Sequence, residues 1–357
     1  MEFLSYFEDE IYLFVLISIM VVSGIAKEHG VFAGTYGFLK SNLKSNRLVI
    51  MLLSFVSGVL PIEGRATVSA GILDTATGHR NCVGHENENS DGRKKLGIID
   101  FLTTHHFYMW SPIEKPVLLP MAAFGLGYVM WLKLLWPLIA ISALFIILYC
   151  WLGVREDEVE IVPQASLGFG NFTKTTLPFL AAIFGYMALG GEGPELVFPI
   201  FGTLLAYYVI LTKSYDVRKL NSYINWTTVA IVAVVFASSG FMQEHRAWFE
   251  DVVKSIGLDM HTFKGVFYIS LLTFLASFSM GSDGKFAALT VLMASAFGKE
   301  YLLWFFALDY CGYLLTPMHE CVMIGKRYFG TSLTTYYTAL IGWALLLLTT
   351  AGVFTFA

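Results

Sequence analysis

Charged side chains are scarce in this chain. Only 14% of its 357 residues are charged, whereas 56% are hydrophobic, and soluble domains carry about a quarter charged residues. The formal net charge of -4 is small, so no broad basic surface is available for nucleic acid. The composition predicts an all-α polytopic protein of the cell (inner) membrane. Its expected partners are the lipid bilayer and a small solute, and no nucleic acid is expected.

Several motifs of enzymes and of nucleotide-driven pumps are also absent. The four cysteines show no C-x-x-C spacing and are too few for a disulfide framework. The 32 glycines form neither of the common phosphate-binding loops. The string M-H-E-C-V-M fails the H-E-x-x-H rule of zinc proteases because Met323 occupies the place of the second histidine. We therefore expect no ATP-driven transport within this chain, no enzymatic activity and no cofactor other than a possible coupling Na⁺.

Long apolar runs are abundant. A helix needs about 20 residues to cross the hydrocarbon core of a bilayer, and about ten runs approach this length. They are 11–27, 47–61, 116–132, 134–153, 176–190, 195–212, 226–242, 263–281, 301–316 and 333–356. Shorter apolar pieces flanked by glycine, proline or charge, such as 64–77 and 285–298, predict re-entrant hairpins and broken helices.

A polar segment divides the chain into two halves. Residues 154–175 open with V-R-E-D-E-V-E and separate two groups of apolar runs. We expect a first transmembrane repeat over 1–153, an inter-repeat linker over 154–175 and a second transmembrane repeat over 176–357.

One pair of matching landmarks lies at the end of an apolar run in each half. P-I-E-G-R-A-T in the first half resembles G-S-D-G-K-F-A in the second, because both present an acid, a glycine and a base. The two triplets are Glu63–Gly64–Arg65 and Asp283–Gly284–Lys285, at an offset of 220 (283 minus 63). We interpret each triplet as the tip of a re-entrant hairpin.

A second pair of landmarks follows in the same order. S-P-I-E at 111–114 resembles T-P-M-H at 316–319, at an offset of 205 (316 minus 111). A longer polar loop in the first half, 78–97, explains the smaller offset. Two landmarks in one order predict two inverted repeats, each with a re-entrant helical hairpin and a broken transmembrane helix, as in many secondary transporters.

The charged tips are the predicted substrate site. Ionisable groups at membrane depth are costly and usually face a cavity, a partner or the protein interior. Glycine permits a sharp turn, and the helix that follows it directs free N–H groups toward the tip, which suits an anion. The predicted substrate-binding residues are Glu63, Gly64, Arg65, Thr67, Asp283, Gly284 and Lys285. The alternative is that each acid only neutralises the base beside it and stabilises the hairpin.

The proline breaks are the predicted ion-coupling sites. Proline lacks an N–H and interrupts a helix, which frees carbonyl groups for Na⁺ or water. A carboxylate or an imidazole just beyond the proline can also carry a proton. The predicted ion-coupling residues are Ser111, Glu114, Thr316, His319 and Glu320. The alternative is a simple kink, with Glu114 paired to Lys115 near a surface.

A metal site is a further alternative at the same breaks. His105, His106, Glu114, His319 and Glu320 supply imidazole and carboxylate ligands. Adjacent residues on a helix point about 100° apart, so at most one of His105 and His106 is expected to face a given site.

The segment D-Y-C-G-Y-L-L-T-P-M-H-E-C-V-M-I-G-K-R-Y-F-G resembles an uncharacterised integral-membrane family, number 401 in the series of domains of unknown function. The matching residues are Pro317, His319, Cys321, Tyr328 and Phe329, and the segment beginning H-H-F-Y-M-W-S-P resembles an aromatic segment of that family. The family is grouped with the ion-transporter superfamily of citrate, dicarboxylate, gluconate, arsenite and Na⁺/H⁺ carriers. The resemblance implies two inverted repeats, re-entrant hairpins, a homodimer and elevator-like movement. The Ser-Asn-Thr signature of the dicarboxylate carriers is missing from both tips.

These features predict a secondary active transporter of a small anionic solute, coupled to Na⁺ or H⁺. The first alternative is an integral-membrane metal-binding enzyme or metal-ion handler, and the second is a channel or sensor subunit.

Overall fold

The fold is that of the computed structural model of this chain. It describes residues 10–28, 43, 45–59, 69–70, 73, 91–153, 169–188, 194–255, 257–258, 261–280, 287–317 and 319–357. Within these residues the chain forms helices and no β-strand. The predicted all-α class is therefore confirmed.

Sixteen α-helices make up the described part of the chain. They are α1 (Glu10–Glu28), α2 (Asn46–Val59), α3 (Asp91–His106), α4 (Lys115–Ala123), α5 (Tyr128–Gly153), α6 (Phe169–Thr175), α7 (Leu177–Ala188), α8 (Pro194–Thr212), α9 (Val217–Ser222), α10 (Trp226–Glu244), α11 (Arg246–Ser255), α12 (Phe263–Met280), α13 (Ala288–Phe297), α14 (Leu302–Leu315), α15 (Glu320–Phe329) and α16 (Leu333–Phe356). Short 3₁₀ turns, Phe107–Met109 and Lys299–Tyr301, follow α3 and precede α14.

Three of the described helices, α5, α10 and α16, are long and apolar enough to cross a membrane. Only about a third of the most apolar window of each is buried within the protein. Large apolar side chains, including Trp136, Val234 and Leu345, lie exposed on these helices. Such surfaces are typical of contact with lipid. Several further apolar helices are shorter, so the figure of about ten spans stays a prediction.

The run 116–132, predicted as one span, is broken. Helix α4 ends at Ala123 and α5 begins at Tyr128. Between them Gly125 adopts a left-handed conformation with φ +58°, which glycine tolerates better than other residues. The Leu126 N–H then donates to the Met121 carbonyl and closes the turn. The prediction of a continuous helix was wrong because the two glycines of G-L-G were read as part of an apolar run.

Helix α14 is the central element of the second half. Twelve of its 14 residues are buried, as expected for a helix that is apolar on every side. It packs against α12, α13 and α16. The exception to its apolar composition is Asp309, which is only 1% exposed.

The helices of the two halves pack in a similar order. In the first half α2 packs on α3, which packs on α5, and in the second half α12 packs on α14, which packs on α16. Contacts also cross between the halves, because α15 packs on α3, α4 packs on α13 and α5 packs on α16. Residues near the two proline breaks therefore lie at contacts between the halves.

Candidate functional site

The seven residues predicted to bind substrate, Glu63, Gly64, Arg65, Thr67, Asp283, Gly284 and Lys285, lie outside the described residues. The structure describes the helices on both sides of the two tips and the side chains that hold them. The contacts described below are those of the residues that flank the tips in the sequence.

The second tip is followed by α13, whose N-terminus is held by a buried carboxylate from another helix. Asp309 on α14 accepts hydrogen bonds from the backbone N–H groups of Ala287 and Thr290, each at 3.0 Å. It also accepts from the Thr290 hydroxyl at 2.8 Å and from the Ser277 hydroxyl at 2.7 Å. An ionised carboxylate, which only accepts hydrogen bonds, suits these four donors. Asp309 therefore joins α12, α13 and α14 at the point where the tip begins and ends.

This carboxylate takes the place of a helix-capping side chain. Helices leave their first N–H groups unpaired, and a polar residue at the N-cap usually accepts from them. Here the N-cap is Ala287, which has no polar side chain and adopts a left-handed φ of +70°. That conformation is unfavourable for alanine. The hydrogen bonds to Asp309 stabilise this conformation of Ala287. They also use N–H groups at the N-terminus of α13 that the sequence predicted to be available to an anion.

A close approach of two helices brings Ser277 to Asp309. A Cβ atom added at Gly312 would lie 2.7 Å from the Phe274 carbonyl oxygen and 2.8 Å from Ser277 Cβ. Only a residue without a side chain therefore fits between α14 and α12 at this depth. The Ser277 hydroxyl also reaches the Asp309 carbonyl at 2.6 Å.

The first tip is attached in a comparable way. Ser69, just after the tip, donates a hydrogen bond to the carboxylate of Asp100 on α3. The hydroxyl of Ser54 on α2, before the tip, has no hydrogen-bond partner among the described residues. Asp100 and both serines are buried. In each half, a buried aspartate on the helix before the proline break thus accepts a hydrogen bond from a hydroxyl group that follows a tip in the sequence.

The proline breaks form equivalent turns. The Glu114 N–H donates to the Ser111 carbonyl at 3.0 Å, and the His319 N–H donates to the Thr316 carbonyl at 3.2 Å. Glu114 and His319 then serve as the N-caps of α4 and α15. Five residues, 110–114, separate the 3₁₀ turn after α3 from α4, and four residues, 316–319, separate α14 from α15. Each landmark therefore lies at a break between helices, as the sequence predicted.

The carbonyl groups at the breaks are partly paired by aromatic side chains. The Trp131 indole donates to the Met109 carbonyl at 2.9 Å, and Tyr128 donates to the Trp110 carbonyl at 2.6 Å. Tyr337 donates to the Thr316 carbonyl at 3.2 Å. By contrast, the buried Ser111 hydroxyl has no partner among the described residues. The Ser111 hydroxyl is therefore a polar group of the first break that could receive an ion or a water molecule.

Two histidines meet where α3 packs on α15. The Nε2 atoms of His105 and His319 lie 2.9 Å apart, and both side chains are buried. The His105 Nδ1 atom lies 2.7 Å from the Phe101 carbonyl, and the His319 Nδ1 atom lies 3.1 Å from the Tyr313 carbonyl. A carbonyl oxygen only accepts, so the contacts assign a proton to each Nδ1 and leave the two Nε2 atoms to face each other.

The other predicted ligands lie elsewhere. His106 faces Ser142, with its Nδ1 atom 2.9 Å from the hydroxyl, as expected for the neighbour of His105 on a helix. The Glu320 side chain is exposed, whereas Glu114 is buried. The sulfur of Cys321, a residue not predicted as a ligand, lies with nitrogens of His105 and His319 in a group of atoms within 4.8 Å of one another.

No protein-family model matches the chain, and no curated protein matches it significantly. Its function is therefore inferred from its own residues.

Sequence reasoning missed three residues of this region. Asp100 stands in G-I-I-D-F-L and Asp309 in F-A-L-D-Y-C, and a lone carboxylate within an apolar run is itself a signal of function or of a buried contact. Cys321 follows His319 by two residues. Residues two apart in a regular helix do not face each other, so this spacing does not indicate a pair of metal ligands. The position of Cys321 becomes informative only because His319 precedes α15 with an extended backbone, ψ 106°.

Proposed function

We propose that this protein is a secondary active transporter of a small anion, coupled to Na⁺ or H⁺, in the cell (inner) membrane. The observation that carries this proposal is the matched attachment of the two tips. Asp100 accepts a hydrogen bond from Ser69, which follows the first tip, and Asp309 accepts one from Thr290, which follows the second. Together with the two equivalent proline turns, this match supports two repeats that present their tips toward a common site.

The proposed repeats are inverted, as in many transporters whose broken helices meet near the bilayer midplane. The cross-packing of α15 on α3 and of α4 on α13 supports a shared interface between the repeats. The family resemblance adds the expectation of a homodimer with elevator-like movement. Three helices suited to crossing a membrane and their outward apolar side chains support the membrane location.

Arg65 and Lys285 are the proposed charge partners of the anion. Asp309 already accepts hydrogen bonds from N–H groups at the start of α13. We therefore expect Arg65 and Lys285 to contribute more to the free energy of anion binding than the helix N-termini do. Glu63 and Asp283 remain the acids beside them. Ser111 and Glu114 are the proposed coupling site, because a buried hydroxyl and a buried carboxyl lie on one tight turn.

Uptake into proteoliposomes tests the proposal. Purified protein is reconstituted and offered labelled anions of several classes, namely dicarboxylates, tricarboxylates, sugar acids and oxyanions, with an inward gradient of Na⁺ or of H⁺. We expect one class to enter with saturable kinetics and only when one of the gradients is present. Uptake that equals that of empty liposomes for every anion contradicts the transporter. Uptake that rises linearly with concentration and ignores both gradients favours the channel instead.

The metal-enzyme alternative has less support in its predicted form. Of its five residues, the contacts of the described residues join His105 to His319 and direct His106 to Ser142, while Glu320 is exposed. His106 and Glu320 are therefore not directed at the contact between His105 and His319.

A further inference from the structure

The two facing histidines require something between them. With both Nδ1 protons directed to carbonyl oxygens, two neutral rings would oppose their Nε2 lone pairs at 2.9 Å. Such an arrangement is repulsive unless a proton or a metal ion lies between the nitrogens. Histidines that bind metals show the same pattern, because the ring nitrogen that does not ligate donates to a carbonyl or carboxylate and thereby fixes the tautomer.

Cys321 supplies a third ligand of the appropriate kind. Its sulfur and the histidine nitrogens lie within 4.8 Å of one another, and ligand atoms of one tetrahedral zinc ion lie about 3.3 to 3.8 Å apart. Cys321 is the second residue of α15, where the positive helix end favours a thiolate. Binding of the ion therefore requires the two Nε2 atoms, 2.9 Å apart in this structure, to separate slightly and the sulfur to approach them.

We infer that His105, His319 and Cys321 bind one borderline-soft divalent cation of the Zn²⁺ class. Two imidazoles and one thiolate are the ligand types that zinc prefers, whereas Mg²⁺ and Ca²⁺ prefer oxygen. The ion joins α3 of the first half to the start of α15 in the second half. The ion would link the two halves of the chain next to the second proline break. This inference does not depend on the transport proposal.

The surroundings of the three ligands fit this role. The Phe101 ring stacks on His105 at 3.9 Å between ring centroids, and the Tyr313 ring lies 4.5 Å from His319. Both histidines are at most 2% exposed. Rings held in this way keep their orientation and shield the site from water, which favours slow release of a bound ion.

Metal analysis of the full chain in detergent tests the site. The protein is purified without chelators, exposed to Zn²⁺ and desalted, and we expect about one Zn²⁺ per chain. His319→Gln and Cys321→Ser should each weaken Zn²⁺ binding by roughly 100-fold or more, since loss of even an outer partner costs roughly 10- to 100-fold. Binding of Co²⁺ to the wild-type chain should give a thiolate-to-metal absorption band that Cys321→Ser removes.

Two matched variants control for disturbance of the fold. His106→Gln changes the neighbouring buried histidine that faces Ser142, and Cys311→Ser changes a buried thiol directed at the Ala344 carbonyl. Both should keep the Zn²⁺ stoichiometry and the Co²⁺ band, and all variants should elute as the wild type does in size-exclusion chromatography. A wild-type chain that retains no Zn²⁺ shows that the histidines share only a proton and overturns the inference. Equal Zn²⁺ binding by wild type, His319→Gln and Cys321→Ser also overturns it.

Discussion

Replacing Asp309 by alanine should lower the free energy of unfolding by about 3 to 5 kcal/mol, because several buried donors lose their acceptor and each unsatisfied one costs about 1 to 3 kcal/mol. The change leaves the N–H groups of Ala287 and Thr290 without their acceptor at 3.0 Å, and each unpaired buried group is costly. The melting temperature in detergent should fall by about 10 °C. Hydrogen exchange at the first turn of α13 should rise well before the protein unfolds globally.

Two further variants make the Asp309 result specific. Asp309→Asn keeps one acceptor oxygen and should lose less stability than Asp309→Ala. Asp251→Ala removes an exposed aspartate on α11 and should leave the melting temperature unchanged. An Asp309→Ala protein with wild-type stability and wild-type exchange at 287–292 would show that this carboxylate does not hold the second tip.

Replacing Arg65 and Lys285 together by glutamine should reduce anion uptake to the level of empty liposomes. Each charge-assisted hydrogen bond to the anion contributes about 1.5 to 3 kcal/mol, so each single variant should raise the KM by roughly 10- to 100-fold. The double variant keeps Asp100 and Asp309 and their hydrogen bonds with Ser69 and Ala287, and its elution in size-exclusion chromatography checks that it folds as the wild type does.

A second double variant matches the change in charge. Arg218→Gln with Lys326→Gln also removes two cations, and both side chains are exposed on α9 and α15. This control should transport as the wild type does. Unchanged uptake by the Arg65→Gln and Lys285→Gln double variant would remove both residues from the substrate site, while leaving the transporter itself in place.

Much of the helical layout could be predicted from apolar runs alone. Helices α10, α12 and α16 begin where the sequence predicted, at residues 226, 263 and 333. The two proline turns also lie at their predicted positions, because proline ends a helix for local reasons. The break at Gly125 was missed, because a single glycine in an apolar run does not show whether the chain turns there or continues as a helix.

The contacts that attach the tips could not be predicted in the same way. Asp309 lies 19 residues beyond Thr290 and 32 beyond Ser277, so no local pattern connects them. The His105 to His319 contact spans 214 residues and depends on how α15 packs on α3. Sequence reasoning named both histidines as possible metal ligands, but only the structure shows that these two meet and that Cys321, rather than His106 or Glu320, lies beside them.

Counterflow in proteoliposomes tests the central claim most directly, because only a carrier that exposes one site alternately to each side exchanges solute for solute. Liposomes are loaded with a high concentration of the unlabelled anion and diluted into a trace of labelled anion without an ion gradient. The account predicts that the label accumulates transiently above its equilibrium level, and that the Arg65→Gln and Lys285→Gln double variant shows no such overshoot. A label that rises only to equilibrium, in wild-type protein that transports the same anion, would contradict alternating access.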